Sequence, residues 1–149
     1  FLTNAIDDQP LPLYGDGRQR RDWLAVQDHC AAIERVLSDG EPGQIYNIGG
    51  GNERENLAVA EQLLSLLGKP KSLVRFVEDR PGHDRRYAVD SRKLTKIGWQ
   101  PTVPFDDGLK TTVEWYRKHE SWWRPIKSGE FRGYYEAMYG KRLREGSSA

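Results

Sequence analysis

Short strand-like runs alternate with helical stretches along this chain, and the strands are too few to make a self-sufficient sheet. The first run, Gln9-Pro-Leu-Pro-Leu-Tyr14, carries prolines that suit an edge strand, because a proline nitrogen cannot donate to a ladder. After a turn at Gly15-Asp-Gly17, residues 21–26 alternate as a strand does, and Asp28 then stands as the N-cap of a helix over about residues 29–37. Residues 44–48 predict another strand, ending in the triple glycine at 49–51. Leu57, Ala60, Leu63, Leu64 and Leu67 form a helical stripe closed by Gly68 and Pro70, and residues 72–77 predict a further strand.

Three helices follow in the reading. Ser91 caps a short one ending at Ile97, with Gly98 just beyond it. The next opens at Pro104-Phe105 and runs its stripe of Leu109, Val113 and Tyr116 towards Trp122-Trp123. The last covers about residues 130–142, and the tail over residues 145–149 is expected to fray. The expectation is therefore a small α/β unit whose layer leans on something outside the chain and leaves apolar surface exposed.

The 149 residues suffice for one domain, taken as residues 1–149. Lys plus Arg at 23 against Asp plus Glu at 22 leaves a net charge of +1, which argues against a dedicated nucleic-acid binder. No apolar run approaches the roughly 18 residues of a membrane span. The single cysteine, Cys30, excludes an internal disulfide and any multi-cysteine zinc site, so a reducing compartment is the default. The only methionine is Met138, so the chain reads as a piece of a longer protein.

Searching for chemistry first gives absences. There is no Walker A motif, and Gly15-Asp-Gly17 is followed by Arg18-Gln-Arg20 where a dinucleotide fingerprint needs its third glycine. No Tyr is followed four residues later by Lys, and the 3 histidines and Cys30 have no metal-ligand spacing. The triple glycine is either a tight connection or a cradle of backbone N–H groups for phosphate. Two polar clusters remain. Arg21 opens a strand beside a glycine turn, where its planar fork could clamp an anion, and alternation turns Asp22 to the other face. In Asp79-Arg-Pro-Gly-His-Asp-Arg-Arg86, the Pro81-Gly82 turn presents Arg80 and His83 from one short arc. Either cluster could equally be a solvated charge run. Asn56 stands where its amide could reach the same ligand.

At these residues a resemblance becomes specific. Leu13-Tyr-Gly-Asp-Gly-Arg-Gln-Arg-Arg-Asp-Trp-Leu-Ala-Val-Gln-Asp28 resembles the C-terminal part of extended short-chain dehydrogenase/reductases that act on nucleotide sugars. Tyr46-Asn-Ile-Gly-Gly-Gly-Asn-Glu53, Asp79-Arg-Pro-Gly-His-Asp-Arg-Arg-Tyr87, Gly98-Trp-Gln-Pro101 and Trp122-Trp123 make it similar, over nearly the whole chain, to the dTDP-glucose 4,6-dehydratase family. The resemblance implies a small α/β substrate-binding lobe with the Rossmann half absent, and a cytoplasmic lyase of deoxysugar biosynthesis as the full-length protein. It implies dTDP-glucose as ligand, with Pro12, Leu13 and Tyr14 lining the base, and Arg21 and Asn56 on the sugar-phosphate portion. Asp79, Arg80, Pro81, Gly82 and His83 would close over the diphosphate. NAD, the catalytic residues and the helices of a homodimer would belong to the other half, so no catalytic residue is assigned here. The family resemblance leaves Tyr134, Tyr135 and Tyr139 as packing. The rival readings are the corresponding part of another nucleotide-sugar epimerase or dehydratase, a stand-alone nucleotide or RNA module, and a purely structural domain.

Overall fold

Leu11–Tyr14 forms the first strand, β1, and it pairs in parallel with Val74–Val77, so a long crossover must lie between them. The computed structural model describes residues 1–145; the expected fraying of the tail concerns residues outside them from 146 onward. The crossover holds a second, antiparallel ladder, β2 (Arg20–Asp22) with β3 (Glu53–Glu55), and the helices α2 (Val26–Asp39) and α3 (Asn56–Leu67). Val74–Val77 is then β4, entered through a single 3-10 turn at Lys71–Leu73. Helix α1 (Leu2–Ile6) precedes β1, and α4 (Arg92–Lys96), α5 (Phe105–Lys118), α6 (Glu120–Ser128) and α7 (Glu130–Glu145) complete the order. Pro12 is tolerated in β1 because the strand has a partner on one side only.

Several sequence expectations change here. The strand expected over 21–26 is shorter and shifted, and residues 44–48 are not a strand at all. Instead the chain pairs β2 with Glu53–Glu55, beyond the glycines, where three charged side chains gave no apolar signal. The stripe leading to Trp122-Trp123 breaks at His119, which ends α5 and begins α6. Ser91 does occupy the N-cap position of α4, but its hydroxyl reaches the Gly49 carbonyl at 3.4 Å and caps nothing.

Most of the apolar burial among the described residues falls in two small cores. Leu2 and Ala5 of α1, Leu11 of β1, Ala60, Leu63 and Leu64 of α3 and Val113 of α5 form one. Ala32 of α2, Leu94 of α4 and Trp99 form the other. Each fully buried leucine is worth about 1.5–3 kcal/mol over leaving it exposed. Between the start of α2 and α5 runs an apolar groove of about 610 Å³, along which Trp23 (36% exposed), Trp115 (40%) and Trp122 (58%) stay partly open.

Asp28 links the second core to the later helices. It is not an N-cap, because α2 begins at Val26 with Ala25 before it, which puts Asp28 inside the first turn. The carboxylate, 4% exposed, turns away from its own helix. It accepts from Thr102 N–H (3.1 Å), Thr102 Oγ1 (2.8 Å) and Val103 N–H (2.9 Å), while the Asp28 carbonyl accepts the Trp99 indole N–H at 3.1 Å. Burial alone would push its pKa up, but the bonds from Val103 and Thr102 outweigh it and hold the carboxyl below its ordinary value. Asp28→Ala should therefore lower stability by about 1–3 kcal/mol in urea unfolding, the usual cost of leaving buried donors unpaired. Because the folded pKa lies below the unfolded value of about 3.9, the contribution is complete above that value. It is lost as pH falls through the folded pKa, so acid titration of the alanine variant should lack this component.

Candidate functional site

Because β1 and β4 are parallel and in register from Leu11 opposite Val74 to Tyr14 opposite Val77, they end side by side. Gly15 extends the ladder by one bond, its N–H donating to the Val77 carbonyl at 2.9 Å. The chain leaving Val77 then runs directly past the turn that follows Tyr14. At the closest point a Cβ on Gly15 would lie 2.8 Å from Asp79 Oδ2, and Gly15 itself has φ +57°, so both space and backbone require glycine.

Asp79 is the hub of the polar contacts. Its Oδ1 accepts from His83 Nδ1 (2.6 Å) and from Arg80 N–H (2.8 Å), and its Oδ2 accepts from Gln19 Nε2 (3.0 Å). The bond from His83 is the largest cause of an Asp79 pKa below the usual carboxylate value, and with the bonds from Arg80 and Gln19 it outweighs the opposing effect of burial. The predicted Pro81-Gly82 turn is present: His83 N–H donates to the Arg80 carbonyl at 3.1 Å, with Gly82 at φ +67°. Across the imidazole, His83 Nε2 lies 3.0 Å from the Arg21 guanidinium, which also donates to the carbonyls of Asp84 (3.1 Å) and Arg20 (2.7 Å) and lies 4.3 Å over the Tyr87 ring.

Four of the arginines on and beside this loop divide into two pairs. Arg85 forms a two-bond pair with Asp16 and Arg86 another with Glu53, contacts that fasten the loop to the turn after β1 and to β3. Arg21 and Arg80 have no carboxylate partner among the described residues. Arg80 rests 5.1 Å over the Tyr14 ring, and Tyr14 meets the His83 ring edge-on at 5.7 Å. Unneutralised guanidiniums held on aromatic faces beside a glycine turn suit an anion with a planar group attached.

Of the residues singled out from sequence, Tyr14, Arg21, Asp79, Arg80 and His83 come together around this point. Pro81 and Gly82 form the exposed turn above it. Asn56 joins through the backbone, its N–H donating to the Gln19 carbonyl at 3.0 Å as α3 begins. Pro12 and Leu13 are buried within β1, with Leu13 only 2% exposed, so their side chains face the interior. Three contributors carried no functional signal in the sequence. Gln19 reads as one polar residue among arginines, yet it is 2% exposed and braces Asp79. Tyr139 of α7 places its hydroxyl 3.4 Å from that of Tyr14, and Arg142 donates to the Tyr14 hydroxyl at 3.3 Å. Burial, aided by Tyr14, pushes the Tyr139 pKa up to about 12. Tyr135 by contrast packs inward, its hydroxyl accepting from Asn4 at 2.7 Å.

The triple glycine serves the protein itself. Asp22 fills the concavity, its carboxylate accepting from Asn52 N–H (2.8 Å) and Gly51 N–H (3.2 Å), and a Cβ on Gly49 would come within 2.9 Å of it. The first N–H groups of α3 are also taken, by the carbonyls of Gln19 and Gly17. Neither glycine run among the described residues offers a free helix N-terminus to a dinucleotide pyrophosphate, so neither fits the phosphates of NAD.

The fold is that of the C-terminal part of nucleotide-sugar enzymes of the extended short-chain dehydrogenase/reductase class. More narrowly, the chain belongs to the GDP-mannose 4,6 dehydratase family, whose model matches residues 2–112. It is 53% identical over 129 residues to a dTDP-glucose 4,6-dehydratase of Streptomyces niveus, covering 86% of this chain and 38% of that protein. Among solved structures it is similar to the dTDP-glucose 4,6-dehydratase of Streptomyces venezuelae with NAD bound, at TM-score 0.81 and 48% identity over 84% of this chain and 39% of the other. A UDP-glucose 4-epimerase of Thermotoga maritima with UDP-glucose superposes at TM-score 0.73 with 29% identity, over 78% of this chain and 38% of that one. The chain thus spans about 40% of the length of the relatives it matches. Gly15→Ala should lower stability by about 1–2 kcal/mol through its left-handed backbone alone. The midpoint of urea unfolding measures it.

Proposed function

We propose that residues 1–149 form the substrate-binding domain of a dTDP-glucose 4,6-dehydratase and hold the nucleotide diphosphate of dTDP-glucose. The observation that carries this reading is the pair of guanidiniums, Arg21 and Arg80, left without carboxylates while their neighbours Arg85 and Arg86 are fully paired. A diphosphate supplies the missing negative charge, and the half-buried aromatic ring of Tyr14 suits a pyrimidine ring. Asn56 adds an amide without a side-chain partner among the described residues, and the Pro81-Gly82 turn closes over the phosphates. Identity to dehydratases well above that to the epimerase favours the first over the second as the parent reaction.

In the full-length protein the sugar is oxidised at carbon 4, water is eliminated across carbons 5 and 6, and the hydride returns to carbon 6. NAD, the groups that perform these steps and the main contacts of a homodimer lie in the part of the enzyme this chain does not include. The setting is cytoplasmic, and no helix among the described residues is long and apolar enough to cross a membrane.

Calorimetric titration with dTDP tests the binding. Replacing Arg21 or Arg80 with Ala should each cost about 1.5–3 kcal/mol, the worth of a hydrogen bond to a charged group. Unchanged affinity in both variants overturns the reading. Incubated with NAD and dTDP-glucose, the 149-residue chain should form no 4-keto-6-deoxy product above background, and turnover would contradict the assignment of chemistry to the other half.

A further inference from the structure

We infer that Asp79 and Gln19 are positioning residues for Arg21, acting through His83; this deepens the nucleotide-diphosphate reading and rests on it. A guanidinium has donors only, so the 3.0 Å contact between Arg21 and His83 requires a lone pair on Nε2. The ring proton therefore sits on Nδ1 and is donated to Asp79 Oδ1 at 2.6 Å. The His83 side chain is 5% exposed, so its ring is held between these two protein partners. The Asp79 carboxylate selects the tautomer, and the tautomer lets Arg21 dock.

Gln19 shows that the line continues inward. Its amide nitrogen donates to Asp79 Oδ2 at 3.0 Å, while its Oε1 is buried with no hydrogen-bond partner. Turning the amide over would set that oxygen against the carboxylate and exchange an attraction for a repulsion. The unpaired carbonyl is thus the cost of holding Asp79, and buried polar groups left unpaired are rare enough to need such a reason. Gly15, with no side chain, leaves the room in which Oδ2 receives this bond.

The direction of the effect separates this arrangement from ordinary electrostatics. Asp79 is a negative charge near the place assigned to an anionic ligand. If charge alone mattered, its removal would tighten dTDP binding. If Asp79 positions Arg21, its removal frees the imidazole proton to move to Nε2, where an N–H faces the N–H groups of Arg21, and binding weakens.

The test uses the 149-residue chain and two readouts. Long-range proton–nitrogen NMR correlation of the His83 ring should show a neutral ring protonated on Nδ1 in the unsubstituted protein, and on Nε2 in Asp79→Ala. Titration with dTDP should show about a tenfold loss of affinity in Asp79→Ala. Asp79→Asn keeps an oxygen acceptor for His83, and Gln19 can then turn its amide to accept from the new side chain. That variant should retain the Nδ1 proton and bind within about threefold of the original. Affinity unchanged or raised in Asp79→Ala overturns the inference, and so does an Nε2 proton in the unsubstituted protein, a measurement that needs no variant to fold. If the unsubstituted chain failed to bind dTDP, the proposed function would fall, and the tautomer and its switch would still decide the positioning of Arg21.

Discussion

The parallel pairing of β1 with β4 sets the terms for everything around the site. Two strands that run the same way must end at the same edge, so the turn after Tyr14 and the loop after Val77 leave the sheet as neighbours. Gly15 lets them approach until Asp79 lies against the turn, and from that contact His83, Arg21, Gln19 and Arg80 take their places. An antiparallel pair would have sent the two segments to opposite edges.

Three aspartates show how one side chain takes different work from its surroundings. Asp28 is buried and closes backbone N–H groups of a distant segment; Asp22 fills a ring of glycine backbone; Asp79 orients an imidazole. None of them pairs with an arginine, although the chain has many. The carboxylates that do pair with arginines near the site, Asp16 and Glu53, act in the opposite sense: they neutralise Arg85 and Arg86 and leave Arg21, Arg80 and Arg142 as positive charge around Tyr14 and His83.

Much of this was legible in the sequence because it is local. The Pro81-Gly82 turn, the positive φ of Gly98 after α4, and the opposite faces of Arg21 and Asp22 follow from neighbouring residues alone. What failed depends on distant partners. Residues 44–48 have strand composition but find no ladder, whereas Glu53–Glu55 has none and pairs with β2. Asp28 has the residue type of a cap, and only the arrival of Thr102 and Val103 reveals that it caps another segment. Tyr139 and Arg142 approach Tyr14 across more than half the chain, a distance over which no periodicity speaks.

The same long crossover has a consequence for the order of folding. Closing a loop from β1 to β4 costs chain entropy before the ladder returns any of it, and such contacts form late. The β2–β3 ladder lies inside that loop and closes over a shorter stretch of chain, from Asp22 to Glu53. The arginine cluster should therefore be among the last features to assemble and among the first to open in native-state hydrogen exchange. A ligand that bridges the two exits would then act as a clasp on the final step, and its binding would slow unfolding more than it speeds folding.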